Sequence, residues 1–140
     1  KLFASSGATV AHCPDSNFFL GSGCMEYNKA RSYGIPISIG TDVGAGRSFS
    51  MRIATARGYD ASLIVNSIVE PEQLLWSATI GGAVHLGFNT LWSNSADADV
   101  IAIPVDDLSS KEKIIDAILF KHNQLQVSAT YVRGECIYST

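Results

Sequence analysis

Between Ala8 and Asp42 the chain passes through a β-prone segment, a polar stretch, a helical stretch, a glycine and a second β-branched run. No other feature constrains the fold as much. Ala8-Thr9-Val10-Ala11, set between Gly7 and Pro14, predicts a short buried strand. A loop is expected over residues 13–23. Residues 24–33 have helical composition, with Ala30 and Tyr33 on one side and Gly34 placed to close the helix. Residues 35–39 are apolar and β-branched and lead into Gly40-Thr41-Asp42. This is the βαβ rhythm of a parallel sheet, whose crossover helix packs back on the strands it joins. Such sheets carry their chemistry at the C-terminal ends of the strands, and Asp42 falls there.

Downstream, Ser48 or Ser50 is placed to cap a helix reaching about Val65, with Met51, Ala54 and Gly58 along one face. Pro71 suits a first helical turn, and Leu74, Leu75 and Ala78 continue a buried face up to Gly81 and Gly82. Residues 98–103 predict a strand. Ser109 and Glu112 form a capping-box pair ahead of Ile114, Ile115, Ile118 and Leu119, an amphipathic helix ending near His122. Residues 127–132, the turn Arg133-Gly134 and residues 135–138 predict a β-hairpin. The character of the chain changes around residues 91–98, where helices and parallel strands give way to elements suited to a small β-rich appendage. No internal repeat or low-complexity tract is visible.

A chain of 140 residues that is 46% hydrophobic and 16% charged can bury one substantial core, which excludes disorder. Its net charge of -3 comes from 10 basic and 13 acidic residues without blocks, so neither nucleic acid nor an anionic membrane is an expected partner. The 3 cysteines, Cys13, Cys24 and Cys136, are odd in number and form no CxxC. That spacing argues against a disulfide framework and a thiolate zinc cluster, and it fits a reducing, cytoplasmic setting. No apolar run approaches the roughly 18–20 residues that span a bilayer, and the first residues do not make a signal peptide. The chain starts without methionine, in what reads as a helix end, so it is expected to be part of a longer polypeptide.

Three segments could carry chemistry. In Ile39-Gly40-Thr41-Asp42-Val43-Gly44-Ala45-Gly46, a carboxylate at a strand mouth among glycines suits a metal ligand or general base. The alternative is an Asp that caps the next helix or holds a turn. The glycines do not follow the GxGxxG order of a dinucleotide loop. In Ala11-His12-Cys13-Pro14-Asp15-Ser16-Asn17, His12 could bind metal or orient substrate, and Asn17 could bond a ligand. Against this, Ser and Asn after Pro are ordinary turn formers and a lone His is commonly structural. Cys13 reads as a small buried hydrophobe. Residues 77–87, rich in small side chains, read as close packing, with His85 and His122 outside any site.

Gly7-Ala8-Thr9-Val10-Ala11-His12-Cys13-Pro14, Ser16-Asn17, Leu20, Ser22-Gly23, Ile39-Gly40-Thr41-Asp42, Ala78-Thr79-Ile80-Gly81-Gly82-Ala83 and Leu86-Gly87 together resemble the amidohydrolase superfamily in order and spacing. The resemblance is to its aminohydrolase branch, covering residues 4–103 well and the terminal hairpin loosely. Gly40-Thr41-Asp42-Val43-Gly44-Ala45-Gly46-Arg47-Ser48-Phe49-Ser50-Met51 looks most similar to the turn of the guanine deaminases. Enzymes acting on other purines, pyrimidines and chlorinated triazines share less of it.

The resemblance implies an α/β fold: residues 1–90 as the last strands and helices of a metal-dependent (β/α)8 barrel, residues 91–140 as part of a small β-rich domain with one helix. It places residues 8–12 on a seventh strand and residues 37–42 on an eighth. It implies zinc as cofactor and a small purine as substrate, with guanine hydrolysed to xanthine and ammonia. Asp42 carries over as metal ligand and proton-transfer group, while His12, Ser16 and Asn17 become candidate substrate contacts beside the loop 43–47. In such a site zinc lowers the pKa of its bound water toward ~7 and the carboxylate accepts the proton.

The departures are equally specific. No HxH pair and no HxxE motif occur, because His12, His85 and His122 are isolated. Ser93-Asn94-Ser95-Ala96-Asp97-Ala98-Asp99 replaces the family's usual Gly-Lys-x-Ala-Asp step. The isolated chain is therefore expected to bind no stoichiometric zinc and to deaminate nothing. Half a barrel leaves sheet edges unpaired, so homo-oligomerisation or poor solubility is expected. Rival readings are another aminohydrolase, such as an adenosine-derivative deaminase or a chlorohydrolase, and a self-contained, non-catalytic α/β module.

Overall fold

The computed structural model describes residues 2–89 and 97–140. After a short helix α1 (Leu2–Ser5) come strand β1 (Val10–His12), helices α2 (Pro14–Leu20) and α3 (Tyr27–Ser32), and strand β2 (Ile37–Ile39). β1 and β2 pair in parallel, with Val10 opposite Ile37, Ala11 opposite Ser38 and His12 opposite Ile39. The predicted βαβ unit is therefore present. It contains one helix more than the sequence suggested, because residues 13–23 include α2 instead of a continuous loop. Pro14 at the first helical position needs no amide partner there, Asp15 lies in the first turn, and Gly21 at φ +67° ends the helix. The amides of Gly21 and Ser22 reach back to Phe18 and Asn17, a Schellman closure that the turn-forming composition concealed.

Side chains alternate across a strand, so the paired residues of β1 and β2 divide between two faces. Ile37 and Ile39 occupy the buried face, packed with Tyr27, Ala54, Val69 and Leu74 as the core. α4 (Met51–Ile64) and α5 (Pro71–Ala78) supply Ala54 and Leu74 to it. Gly58 in α4 lets the helices close up, since a Cβ there would lie 3.2 Å from the Leu74 side chain and 3.6 Å from that of Ile39. Ser50 caps α4 by accepting the Ile53 amide at 3.3 Å.

The opposite face of β2 is met by α6 (Ile80–His85), where the Ser38 hydroxyl and His85 Nδ1 are 2.6 Å apart. Gly81 and Gly82 belong to this helix and do not mark the end of the preceding one. A Cβ at Gly81 would lie 2.5 Å from the Trp76 ring, so a larger residue there would have to displace that side chain from the turn between α5 and α6.

Strand β3 (Val100–Ala102) pairs antiparallel with β4 (Ala129–Val132), which pairs antiparallel with β5 (Glu135–Ser139) across the predicted hairpin. Between β3 and β4 runs α7 (Lys111–Phe120), packed on α4 and α5. Arg52 of α4 ties down its C-terminal end by donating to the carbonyls of Ile118 at 2.7 Å and Leu125 at 2.5 Å. The cap is Ser110, one residue beyond the predicted Ser109. Ser110 is extended and accepts the Lys113 amide, whereas the Ser109 amide is already bound by Asp107. Most of the predicted change of character at residues 91–98 lies outside the described residues.

The accessible surface is 8742 Å², against roughly 7000 Å² for a compact monomer of this mass. Among the described residues β1 and β2 each pair on one edge only, and large apolar side chains such as Phe19 and Phe49 stand exposed.

Candidate active site at the ends of β1 and β2

The chemistry-bearing residues gather where β1 and β2 end. The His12 carbonyl accepts the Gly40 amide at 2.9 Å, extending the pairing one step and holding both exits level. Beyond Gly40 the backbone turns at Asp42, which has a left-handed φ of +49°. A non-glycine residue there costs on the order of 1 kcal/mol, comparable with one hydrogen bond. The Asp42 carbonyl accepts the amides of Ala45 at 3.0 Å and Gly46 at 2.5 Å, closing the turn on itself. A Cβ at Gly46 would collide with the Thr41 carbonyl oxygen, which explains that glycine sterically.

α2 grips this turn. The Ser16 hydroxyl donates to Asp42 Oδ2 at 2.7 Å, so a buried hydroxyl fixes the rotation of an exposed carboxylate. One residue earlier, Asp15 is buried and accepts the Arg47 amide at 3.0 Å on Oδ2 and the Arg47 guanidinium on Oδ1. Arg57 Nε lies 3.8 Å from the same Oδ1. The guanidinium of Arg47 holds the Asp15 carboxyl below its ordinary value despite its burial. The Arg47 guanidinium also lies over the Phe19 ring, 5.9 Å from its centroid.

Ser16 and Asp42, singled out separately in the sequence, are thus brought into direct contact. Asn17 lies half-buried on α2 beside them. His12 is placed differently: it is buried at 3% exposure and shares the face of its strand partner Ile39. Burial pushes its imidazole down to about 4, so the ring is neutral near pH 7. Cys13 is not an activated thiol, because burial and then the nearby Asp42 charge raise its pKa. Asp15 escaped the sequence reading. Its only local signal, an acid just after a proline that opens a helix, was masked by reading residues 13–23 as a loop.

A cleft of about 560 Å³, lined by Tyr27, Arg31, Pro36, Trp76, His85 and neighbours, opens beside the start of β2. That is the opposite end from Asp42. Among the described residues no group of three or more His, Cys, Asp or Glu side chains could hold a metal ion. The residues present therefore do not make a zinc site by themselves, since zinc takes about four ligands. No helix among the described residues is long and apolar enough to cross a membrane.

Parallel βα units with a carboxylate at the strand exits define the class: an α/β fold with its candidate chemistry at the C-terminal ends of its strands. The amidohydrolase family model matches residues 1–137, and the chain belongs to that family. It is 29% identical over 159 aligned residues to guanine deaminase of Mus musculus, covering 96% of this chain and 35% of the mouse protein. A solved guanine deaminase from C. acetobutylicum with bound guanine in its active site superposes with a TM-score of 0.84 at 26% identity, covering 98% of this chain and 35% of that one. An adenosine deaminase from Xanthomonas campestris with bound zinc superposes with a TM-score of 0.82 at 25% identity, covering 99% and 34%. The chain spans about a third of the length of these relatives.

Proposed function

We propose that the polypeptide to which this chain belongs is a cytoplasmic hydrolytic deaminase converting guanine to xanthine and ammonia, and that Asp42 is its proton-transferring carboxylate. The observation that carries this reading is the Asp42 carboxylate, exposed at the exit of β2 and oriented by Ser16 at 2.7 Å. A carboxylate so held can take a proton from an attacking water and release it to the departing amine. Asn17 and the turn 43–47 form the candidate wall on the substrate side. Ser16 acts through Asp42, and His12 contributes the main-chain bond that levels the two strand exits.

Zinc dependence is part of the proposal. Asp42 would be one ligand, and the others would come from outside this chain. The same reading assigns residues 1–90 to the last part of a (β/α)8 barrel and residues 91–140 to a β-rich appendage. It includes a homo-oligomer, in keeping with the apolar surface left exposed.

The test is ammonia release by the full-length protein and its Asp42→Asn variant, with guanine and adenosine as substrates. Turnover of guanine with a loss of about 10²- to 10⁴-fold in the variant is expected. The likeness to the zinc-containing adenosine deaminase motivates a second reading, another aminohydrolase. Preference for adenosine or a derivative would establish that reading, and an undiminished Asp42→Asn variant would overturn both.

A further inference from the structure

Two adjacent residues of α2 hold opposite ends of the Asp42 turn. Ser16 bonds the Asp42 carboxylate itself, and Asp15 bonds Arg47, five residues further on, through both its amide and its guanidinium. Asp15 and Phe19 are four residues apart and so share a helix face, and both engage Arg47. Between these anchors the turn is closed by the Asp42 carbonyl and cannot accept a side chain at Gly46. Its ends therefore move together. A displacement of Arg47 is transmitted to Asp42 through a short, hydrogen-bonded stretch of backbone whose first residue already has a left-handed φ.

We infer that Asp15 is a positioning residue for Asp42: by clamping Arg47 to the start of α2 it sets where the Asp42 carboxylate stands at the strand exit. The inference rests on the proposed role of Asp42 and adds a residue that touches neither substrate nor the carboxylate. Asp15 is suited to the task because it is buried, its two oxygens face separate donors, and Arg57 adds a second cation beside it. An amide at this position would keep one acceptor and lose the ion pair. The turn would then be held at Asp42 but gripped by only one of the two bonds at Arg47.

The experiment uses the full-length enzyme with Asp15→Asn, Arg47→Gln, the double variant, Asp42→Asn and the core variant Leu74→Ala. Steady-state ammonia release and thermal melting are measured for each. Asp15→Asn is expected to lower kcat about 10- to 100-fold, the size of effect that a misplacement near 1 Å produces, with KM within about threefold. The double variant is expected to be no slower than Arg47→Gln, because the two side chains act as one device. Leu74→Ala is expected to melt lower while keeping kcat within about threefold. Losses from Asp15→Asn and Arg47→Gln that multiply would overturn the inference. So would an Asp15→Asn variant that only melts lower, or a Leu74→Ala variant whose kcat falls as far. Full activity in Asp42→Asn would instead overturn the underlying role of Asp42.

Discussion

Asp42 and Arg133 adopt nearly the same left-handed backbone, at φ +49° and +50°, in opposite halves of the chain and for different reasons. Arg133 and Gly134, both at positive φ, join β4 to β5 in a two-residue hairpin loop, and the left-handed pair is what such a loop requires. Its neighbourhood is exposed, and every residue of β5 is solvent-facing. Asp42 follows a strand whose flanking residues Ile37 and Ile39 are buried, and its turn is gripped by side chains 26 and 32 residues away in sequence pairs. In the hairpin, the two-residue loop itself calls for the unusual φ, and the Asp99 carboxylate and Ala98 carbonyl accept the Arg133 and Gly134 amides from outside it. At the strand exit, tertiary contacts hold it, and the result is a carboxylate displayed at the surface.

Five substitutions in the full-length protein sharpen or break this contrast. The largest effect is expected from Asp42→Gly, which relieves the left-handed strain yet removes the carboxylate. Ammonia release should fall about 10²- to 10⁴-fold while the melting temperature does not drop. Equal activity in wild type and variant would mean that the carboxylate displayed by this turn serves no catalytic purpose. Next, Leu74→Ala, at 0% exposure beneath β2, should cost about 2–5 kcal/mol by denaturant unfolding. Ile137→Ala, at 61% exposure on β5, should cost less than about 0.5 kcal/mol. Similar costs at both sites would erase the distinction between a buried and an exposed region.

A pH effect of comparable size comes from His12. Its folded pKa of about 4 lies below the ordinary 6.5, so the unfolded chain binds the proton first as pH falls. Stability is fully present above about 6.5 and is lost between there and 4, amounting to about 3 kcal/mol. Across that window the melting temperature should fall more steeply with pH for the wild type than for His12→Gln. An effect of opposite sign is expected from Arg133→Gly, which should stabilise by up to about 1 kcal/mol with activity unchanged. A loss of activity there would tie the hairpin to the site.

The strands, α4, α5, the helix of residues 111–120 and the hairpin were legible because each has a local signal. These are β-branched runs between glycine and proline, a serine cap, a proline in a first turn, and an Arg-Gly loop between alternating segments. The position of Asp42 at a strand exit was legible for the same reason. α2 was not, since Pro, Asp, Ser and Asn in succession serve a turn as readily as a first helical turn, and the closing glycine decides only once the backbone is folded. His12 illustrates a second limit. Its place on a strand could be read, but which face it shares depends on the register with Ile39.

By itself the sequence determined the order of strands and helices, the carboxylate at the end of β2 and the family pattern, because these depend on near neighbours and on covalent spacing. Only the tertiary structure decided that Ser16 holds that carboxylate, that Asp15 holds Arg47, and that His12 lies beside Ile39. Those partners are 26, 32 and 27 positions apart, as their numbers show. Nothing in the short-range preferences of a chain selects one distant side chain over another. Packing α2 against α4 and the turn that follows β2 does.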